Sequence, residues 1–376
     1  MIWAKTKLGE VLTLKRGYDL PESKRESGSI PVVSSSGITG YHNASKAKAP
    51  GVVTGRYGTL SEIYFIEEDF WPHNTALYVQ DFKGNHQRFI AYFLKYILFK
   101  TSSDKAAVPG VNRNDLHARE IFFPSQIETQ IRIASVLSAY DELIENNRRR
   151  IQLLERSLHL LYKEWFVHLR FPSHEHSKIV DGIPEGWEKV TAFDVMEILN
   201  GGTPKTAIAD YWDGIIPFFT PKDAASEMYT YETEKFVTEY GLKNCNSKLY
   251  PKDTIFITAR GTVGKISLAQ REMAMNQSCF ALVAKEPLNQ YFLYFALQER
   301  VSQFRSRAVG AVFDSIIRET FKFIPFIVPH PLLIGTFTDY ITPIVRQIDN
   351  LLIQNRKLKQ ARDLLLPKLM SGAISV

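Results

Sequence analysis

The stretch 125–170, SQIETQIRIASVLSAYDELIENNRRRIQLLERSLHLLYKEWFVHLR, contains neither Gly nor Pro. Ser125 at N-cap with Glu128 three residues on has the capping-box form, directly after Pro124. Leu137, Ile144, Ile151, Leu158 and Trp165 recur every seven residues, and Tyr140, Asn147, Leu154 and Leu161 fill the alternate positions. These are a and d positions, held long enough to predict a coiled-coil seam and not an ordinary amphipathic helix. At about 1.5 Å per residue the helix spans roughly 65 Å. A helix that long needs a partner for its seam.

The same chain supplies one. After Leu332 the sevens are Ile341, Ile348, Asn355, Arg362 and Leu369, with Ile344, Leu351, Leu358 and Leu365 between them. DELIENNRRRIQ from Asp141 aligns with DNLLIQNRKLKQ from Asp349, which places Asn147 over Asn355. A polar seam residue fixes register at a cost in stability; the alternative is that both amides sit at the seam edge and face water. Pro343 is expected to kink or start this second helix, and Gly372 to end it.

The rest of the chain repeats as well. Residues 1–124 read as short strands (IPVVSSSGITGY, GVVTGRYGTLSEIYFI, NTALYV) broken by turn residues, one helix at 86–99, and a polar loop, TSSDKAAVPGVNRNDL. A linker, 171–186, holds Pro172 and Pro184. His174-Glu175-His176 within it lacks further ligands for a metal and reads as a surface loop. Residues 187–330 then restate the first plan. WEKVTAFDVMEILNGG matches WAKTKLGEVLTLKRG, ARGTVGKISL matches GRYGTLSEIYF, and NQYFLYFALQERV matches NHQRFIAYFLKYI. The order is globular domain 1–124, helix 125–170, linker, globular domain 187–330, helix 331–376. This is a tandem repeat of about 190 residues. The expected fold is α+β: two mixed α/β domains joined by two long antiparallel coiled-coil helices related by a pseudo-twofold axis.

Composition sets bounds. The chain of 376 residues is long for one core, and 45% hydrophobic with 23% charged residues is that of a soluble globular protein. No apolar run of membrane-spanning length and no signal-peptide core occurs, and Cys245 and Cys279 form no disulfide pattern. A cytoplasmic location without a membrane is expected. The net charge of +6 permits nucleic acid without requiring it: residues 1–125 hold 16 basic against 12 acidic side chains, residues 187–330 hold 16 of each.

These features carry a resemblance. The domain openings PEGWEKVTAFDVMEILNGGTPKT and WAKTKLGEVLTLKRG, the GRYGT and ARGTVGK segments, and DELIENNRRRIQLLERSLHLLYKEWFVHLRFP resemble the specificity subunit of a Type I restriction-modification system over nearly the whole chain. The resemblance implies two target-recognition domains, each reading one half of a bipartite sequence in double-stranded DNA. Its helices set the spacer and dock two methyltransferase subunits, and a restriction subunit joins the wider complex. It implies a subunit without chemistry of its own: S-adenosylmethionine, ATP and Mg²⁺ belong to the partners. The residues agree. Gly261-Thr262-Val263-Gly264-Lys265 lacks the first glycine of a phosphate loop, since position 259 is Ala, and has Ile266 where Ser or Thr would hold magnesium. Gly58 and Gly261 read as turn glycines. Two other classes stay open: a coiled-coil scaffold with protein-binding ends, and a DNA methyltransferase or nuclease with built-in recognition domains.

Candidate DNA contacts are loop residues able to donate to bases or meet phosphates. In the first domain they are Ser34–Ser36, Lys46, Lys48, Arg56, Tyr57, Asn74, Lys105, Asn112, Arg113 and Asn114. In the second they are Thr203, Lys205, Lys222, Arg260, Thr262, Lys265, Asn276, Gln277, Arg305 and Arg307. Arg56 and Arg260 stand out, because they flank Gly-Thr at matched places in the two repeats. The competing reading for each is a solvated turn residue. The expected seam comprises Leu137, Ile144, Asn147, Ile151, Leu154, Leu158, Leu161 and Trp165 with Ile348, Leu351, Asn355, Leu358 and Leu365.

Overall fold

The structure is a computed structural model that describes residues 3–55, 62–103, 112–224, 227–308 and 315–376. The chain forms two compact units, residues 1–146 with 355–376, and residues 147–354.

In the first unit β1 (Trp3–Lys7) leads through the short helix α1 (Leu8–Val11) into β2 (Thr13–Arg16). Then come β3 (Ile30–Ser34), β4 (Gly37–His42), β5 (Gly51–Gly55), β6 (Ile63–Ile66), β7 (Trp71–Pro72) and β8 (Ala76–Asp81). Helices α2 (Gln87–Ser103) and α3 (Arg113–Ala118), strand β9 (Glu120–Pro124) and the start of α4 (Ile127–Phe166) complete it. The strands make a sheet of order β2-β8-β5-β6, a second of order β4-β3-β7, and the pair β1-β9. β5 reads GVVTG and is buried along its length, the continuous pattern of a central strand covered on both faces.

The second unit begins with the end of α4. The ribbon β10 (Ile179–Val180) and β11 (Ile183–Pro184) precedes β12 (Glu188–Thr191), α5 (Ala192–Val195) and β13 (Met196–Asn200). Next are β14 (Trp212–Phe219), β15 (Tyr229–Thr230), β16 (Lys235–Val237) and α6 (Glu239–Lys243). β17 (Ile255–Thr258), β18 (Ile266–Ala269), β19 (Ala274–Met275), β20 (Cys279–Ala284), α7 (Gln290–Ala308), β21 (Pro325–Val328) and α8 (Pro331–Met370) follow. The sheets repeat the first unit: β13-β20-β17-β18, with β15 added at its edge, for β2-β8-β5-β6, β16-β14-β19 for β4-β3-β7, and β12-β21 for β1-β9. Even the parallel pairings recur, β3 with β7 and β14 with β19.

Each long helix contributes to both units. In the first, Leu137 packs in one cluster with Leu366, Leu369 and Met370, beside Phe89, Phe93 and Phe123. Arg362 donates to Asp141 and Asn355 to the Ile144 carbonyl, so there the two helices run antiparallel. In the second, Ile151, Leu158, Tyr162 and Trp165 share a core with Phe337, Ile341, Ile348 and Leu351. Trp165 packs on Phe337 at 5.6 Å and Tyr340 at 5.7 Å.

Several details depart from the sequence reading. The first bonds of α4 are accepted by the Gln126 carbonyl, so Gln126 and not Ser125 holds the N-cap position. α8 starts at Pro331, where a missing N–H costs nothing, and continues through Pro343. The NRNDL end of the expected polar loop is helical, because the Asn112 side chain accepts from the Asn114 N–H and caps α3. α2 runs to Ser103, past the expected end at Phe99. Asn147 is 1% exposed and does not face water. Ile144, Leu154, Leu161, Asn355, Leu358 and Leu365 are only half-buried, so the seam is narrower than the heptads suggest. Gly372, by contrast, ends α8 as expected: its φ is 74° and the Ala373 N–H reaches the Lys368 carbonyl.

Candidate nucleic-acid interface

In the second unit four loops converge. The Gly202 N–H donates to Met275 O, the Asn276 N–H to Phe219 O, and the Ala259 and Arg260 N–H groups to Ser278 O. The Thr262 hydroxyl donates to Pro221 O at 3.4 Å. Loops 201–205, 220–223, 259–264 and 276–278 are thereby tied into one platform. Position 201 must be glycine: a Cβ there would lie 2.0 Å from the Asn276 carbonyl oxygen. Thr220, Lys222, Lys235, Glu234, Arg260 and Asn276 line a cleft of about 360 Å³ on this platform. Lys222 lies 3.7 Å from Glu234, an exposed pair worth little, whereas no partner for the exposed Arg260 side chain occurs among the described residues. Thr203 donates to Gln277 Oε1, and Asn276 Oδ1 accepts from the Ser278 N–H at 3.0 Å. Exposed Lys205 stands next to this group, its carbonyl accepting from Trp212 Nε1.

Not every candidate joins the platform. Gly261-Thr262-Val263-Gly264-Lys265 is the turn of the β17–β18 hairpin, with Gly261 and Gly264 both at φ 79°, and is not a strand-to-helix phosphate loop. Lys265 and Arg305 line a separate groove of about 660 Å³ with Gln152, Arg156 and His159 of α4. Arg305 Nε donates to Val263 O at 3.1 Å, and Arg307 lies over the Phe323 ring.

The first unit repeats two of these bonds. The Tyr18 N–H donates to Pro72 O and the His73 N–H to Val33 O, just as Gly202 and Asn276 do. Gly17 holds the place of Gly201, where a Cβ would meet the His73 carbonyl at 2.2 Å. The equivalences run Asp19 to Thr203, Ser36 to Lys222, His73 to Asn276 and Asn74 to Gln277. Asn74 Nδ2 donates to Asp19 Oδ1 at 2.6 Å, and Arg16 Nε to the Asn74 carbonyl at 3.2 Å. The Ser34 and Ser36 hydroxyls lie 3.0 Å apart, and the Ser35 N–H reaches Thr75 Oγ1. Lys46 lies over the Trp71 and Tyr18 rings at 5.3 and 5.9 Å. Burial, with Arg25 nearby, holds the His73 imidazole below its usual pKa, so a neutral ring sits on this platform at pH 7. Lys48 is paired with Asp69 at 2.6 Å. Asn112 and Arg113 sit exposed at the start of α3, and no bond ties them to the platform loops among the described residues. Arg56, Tyr57 and Lys105 lie outside the described residues.

Sequence reasoning missed Asp19, Arg16, Tyr18 and Trp71 in the first unit and Lys235 in the second. Asp19 follows Gly17-Tyr18 as Thr203 follows Gly201-Gly202. Extending the repeat alignment two residues beyond the glycine would have found it, but a search for donors passes over a carboxylate.

The fold recurs in known proteins. A family model described as the Type I restriction modification DNA specificity domain matches residues 2–156 and again residues 184–357. The chain belongs to this family. Each DNA specificity domain contains one of the two platforms. Over 171 residues the chain is 29% identical to the specificity subunit of the Type I restriction enzyme MjaIX from Methanocaldococcus jannaschii, covering 44% of this chain but only 40% of that protein. It is 21% identical over 342 residues to the HindI specificity subunit of Haemophilus influenzae, 74% of each chain. The crystal structure of a Type I restriction-modification S subunit from M. genitalium superposes with a TM-score of 0.62 at 18% identity, covering 98% of this chain and 96% of that one, which establishes the shared fold. Among the described residues, no helix is long and apolar enough to cross a membrane, and no group of three His, Cys, Asp or Glu is placed to hold a metal ion.

Proposed function

We propose that this chain is the DNA-reading subunit of a Type I restriction-modification complex, with each platform reading one half of a bipartite target. The observation that carries this is the duplicated platform: matched backbone bonds hold it in both domains, while the side chains it displays differ almost throughout. Shared construction with different display is what two half-site readers on one scaffold require. On the second platform Arg260 is suited to a guanine edge and the amides of Asn276 and Gln277 to bases. Lys222 and Lys235 suit phosphates, as do Arg16 and Lys46 on the first.

In this reading the chain performs no chemistry. Two methyltransferase subunits dock on it and hold S-adenosylmethionine, and a restriction subunit brings ATP and Mg²⁺. The hairpin form of the Gly261–Lys265 turn supports this, since it offers no helix N-terminus to a nucleotide phosphate. The complex works in the cytoplasm, on double-stranded DNA. Genome-wide methylation mapping in cells expressing the methyltransferase subunit with and without this chain tests the proposal. A bipartite methylated motif that appears only with the chain is expected; methylation unaffected by its removal would overturn it.

A further inference from the structure

The two platforms place one amide at the same point and turn it in opposite directions. In the first, Asn74 Nδ2 is committed to Asp19 Oδ1 at 2.6 Å. An ionised carboxylate only accepts, so the orientation of the Asn74 amide is set, and its Oδ1 is the acceptor that this bond does not use. In the second, Thr203 donates to Gln277 Oε1, so the exposed Gln277 amide keeps its N–H groups as the donors that this bond does not use. Its neighbour Asn276 is fixed in the same sense, because the Ser278 backbone N–H can only donate and occupies Oδ1. With Arg260 and Lys222, this edge of the second platform displays donors, and its carboxylate, Glu234, lies against Lys222. On the first platform Arg16 is bonded through Nε to the Asn74 carbonyl, beside the amide.

We propose that Asn74 and Gln277 are equivalent specificity-determining residues that read opposite base edges. Asn74, locked by Asp19, accepts from an exocyclic amino group, adenine N6 or cytosine N4. Gln277, anchored by Thr203 and flanked by Arg260, donates to the paired acceptors of guanine, O6 and N7. Asp19 thus sets which edge Asn74 shows, while Thr203 anchors the Gln277 side chain among the donors of Arg260 and Asn276. This rests on the half-site reading proposed above.

The test is methylation mapping with the full complex carrying Gln277→Glu, Thr203→Val or Asp19→Ala. Gln277→Glu replaces donors with an acceptor. At one G·C position of the second half-site, methylation of the wild-type pair is expected to fall about tenfold and that of the inverted pair to rise. All other positions should be unchanged. Thr203→Val removes the bond that anchors the Gln277 side chain and adds no charge, so it should relax that same position. Asp19→Ala should relax one position of the first half-site alone. If Gln277→Glu abolishes methylation everywhere, Thr203→Val decides: relaxation at one position supports the proposal, and an unchanged motif overturns it. Unchanged base preference in all three variants also overturns it. A wild-type complex that methylates no bipartite motif would instead overturn the underlying half-site reading.

Discussion

Glu155 projects from α4 into the second domain, where its Oε1 accepts from the Met228 backbone N–H at 2.7 Å. Burial pushes its carboxyl up to about 7, with repulsion from Glu227 adding to the rise and the Met228 N–H opposing it. The folded value lies above the ordinary 4.5, so the native state holds the proton more tightly than the unfolded chain between these pH values. The group's stabilising contribution is therefore complete below about pH 4.5 and is lost as the pH rises through about 7. Glu155→Gln keeps the acceptor oxygen and removes the charge. Its melting temperature should exceed that of the wild type above pH 7 and converge with it near pH 5, measured by thermal denaturation across pH. A variant equally or less stable at pH 8 would contradict the assignment. Little of this was legible in the sequence. Glu155 reads there as one more charge on a heptad helix, and only packing beside β15 shows that it is half-buried. The same holds for Asp19, whose role comes from a bond across 55 residues to Asn74. Arg260 was picked out because it stood beside a turn glycine matched in the repeat, Asn276 only by its residue type in a polar loop.

Among the elements, the long helices are held to their domains by carboxylates at aligned places. Asp141 on α4 accepts from Tyr92 of α2 at 2.5 Å and from Arg362 of α8. Asp349 on α8, its counterpart in the repeat, accepts from Gln270 at 2.8 Å and pairs with Lys252 at 2.5 Å. Arg362 occupies a heptad position, yet its side chain is only 14% exposed, which a half-buried ion pair with Asp141 and Asp363 makes tolerable. Asp141→Ala should destabilise the chain by about 2–3 kcal/mol, because it leaves a mostly buried guanidinium short of a partner. Adding Arg362→Leu to that variant should recover part of the loss. Denaturant titration of both variants checks this, and a silent Asp141→Ala would show that the pair contributes nothing. Heptad spacing sufficed to predict both helices, since a 3.5-residue apolar period sustained along forty residues is the pattern of a helix with a helical partner and fits neither a strand nor a loop. It could not show that Pro343 lies inside α8, where packing of Phe337, Ile341 and Val345 outweighs one missing backbone bond.

The molecule as a whole carries one architecture twice. Its repetition was legible because the openings, hairpins and helices share short segments of sequence. The parallel pairings of β3 with β7 and β14 with β19 were not, since strands of two residues leave no periodic signal. Those pairings are what bring loops 73–75 and 276–278 onto their platforms. The central claim is that each platform reads its own half of the target. Exchanging residues 1–124 for the first domain of another family member, in the assembled methyltransferase complex, addresses it directly by methylation mapping. One half of the bipartite motif should be replaced and the other retained base for base. A motif unchanged by the exchange, or altered in both halves, would contradict it.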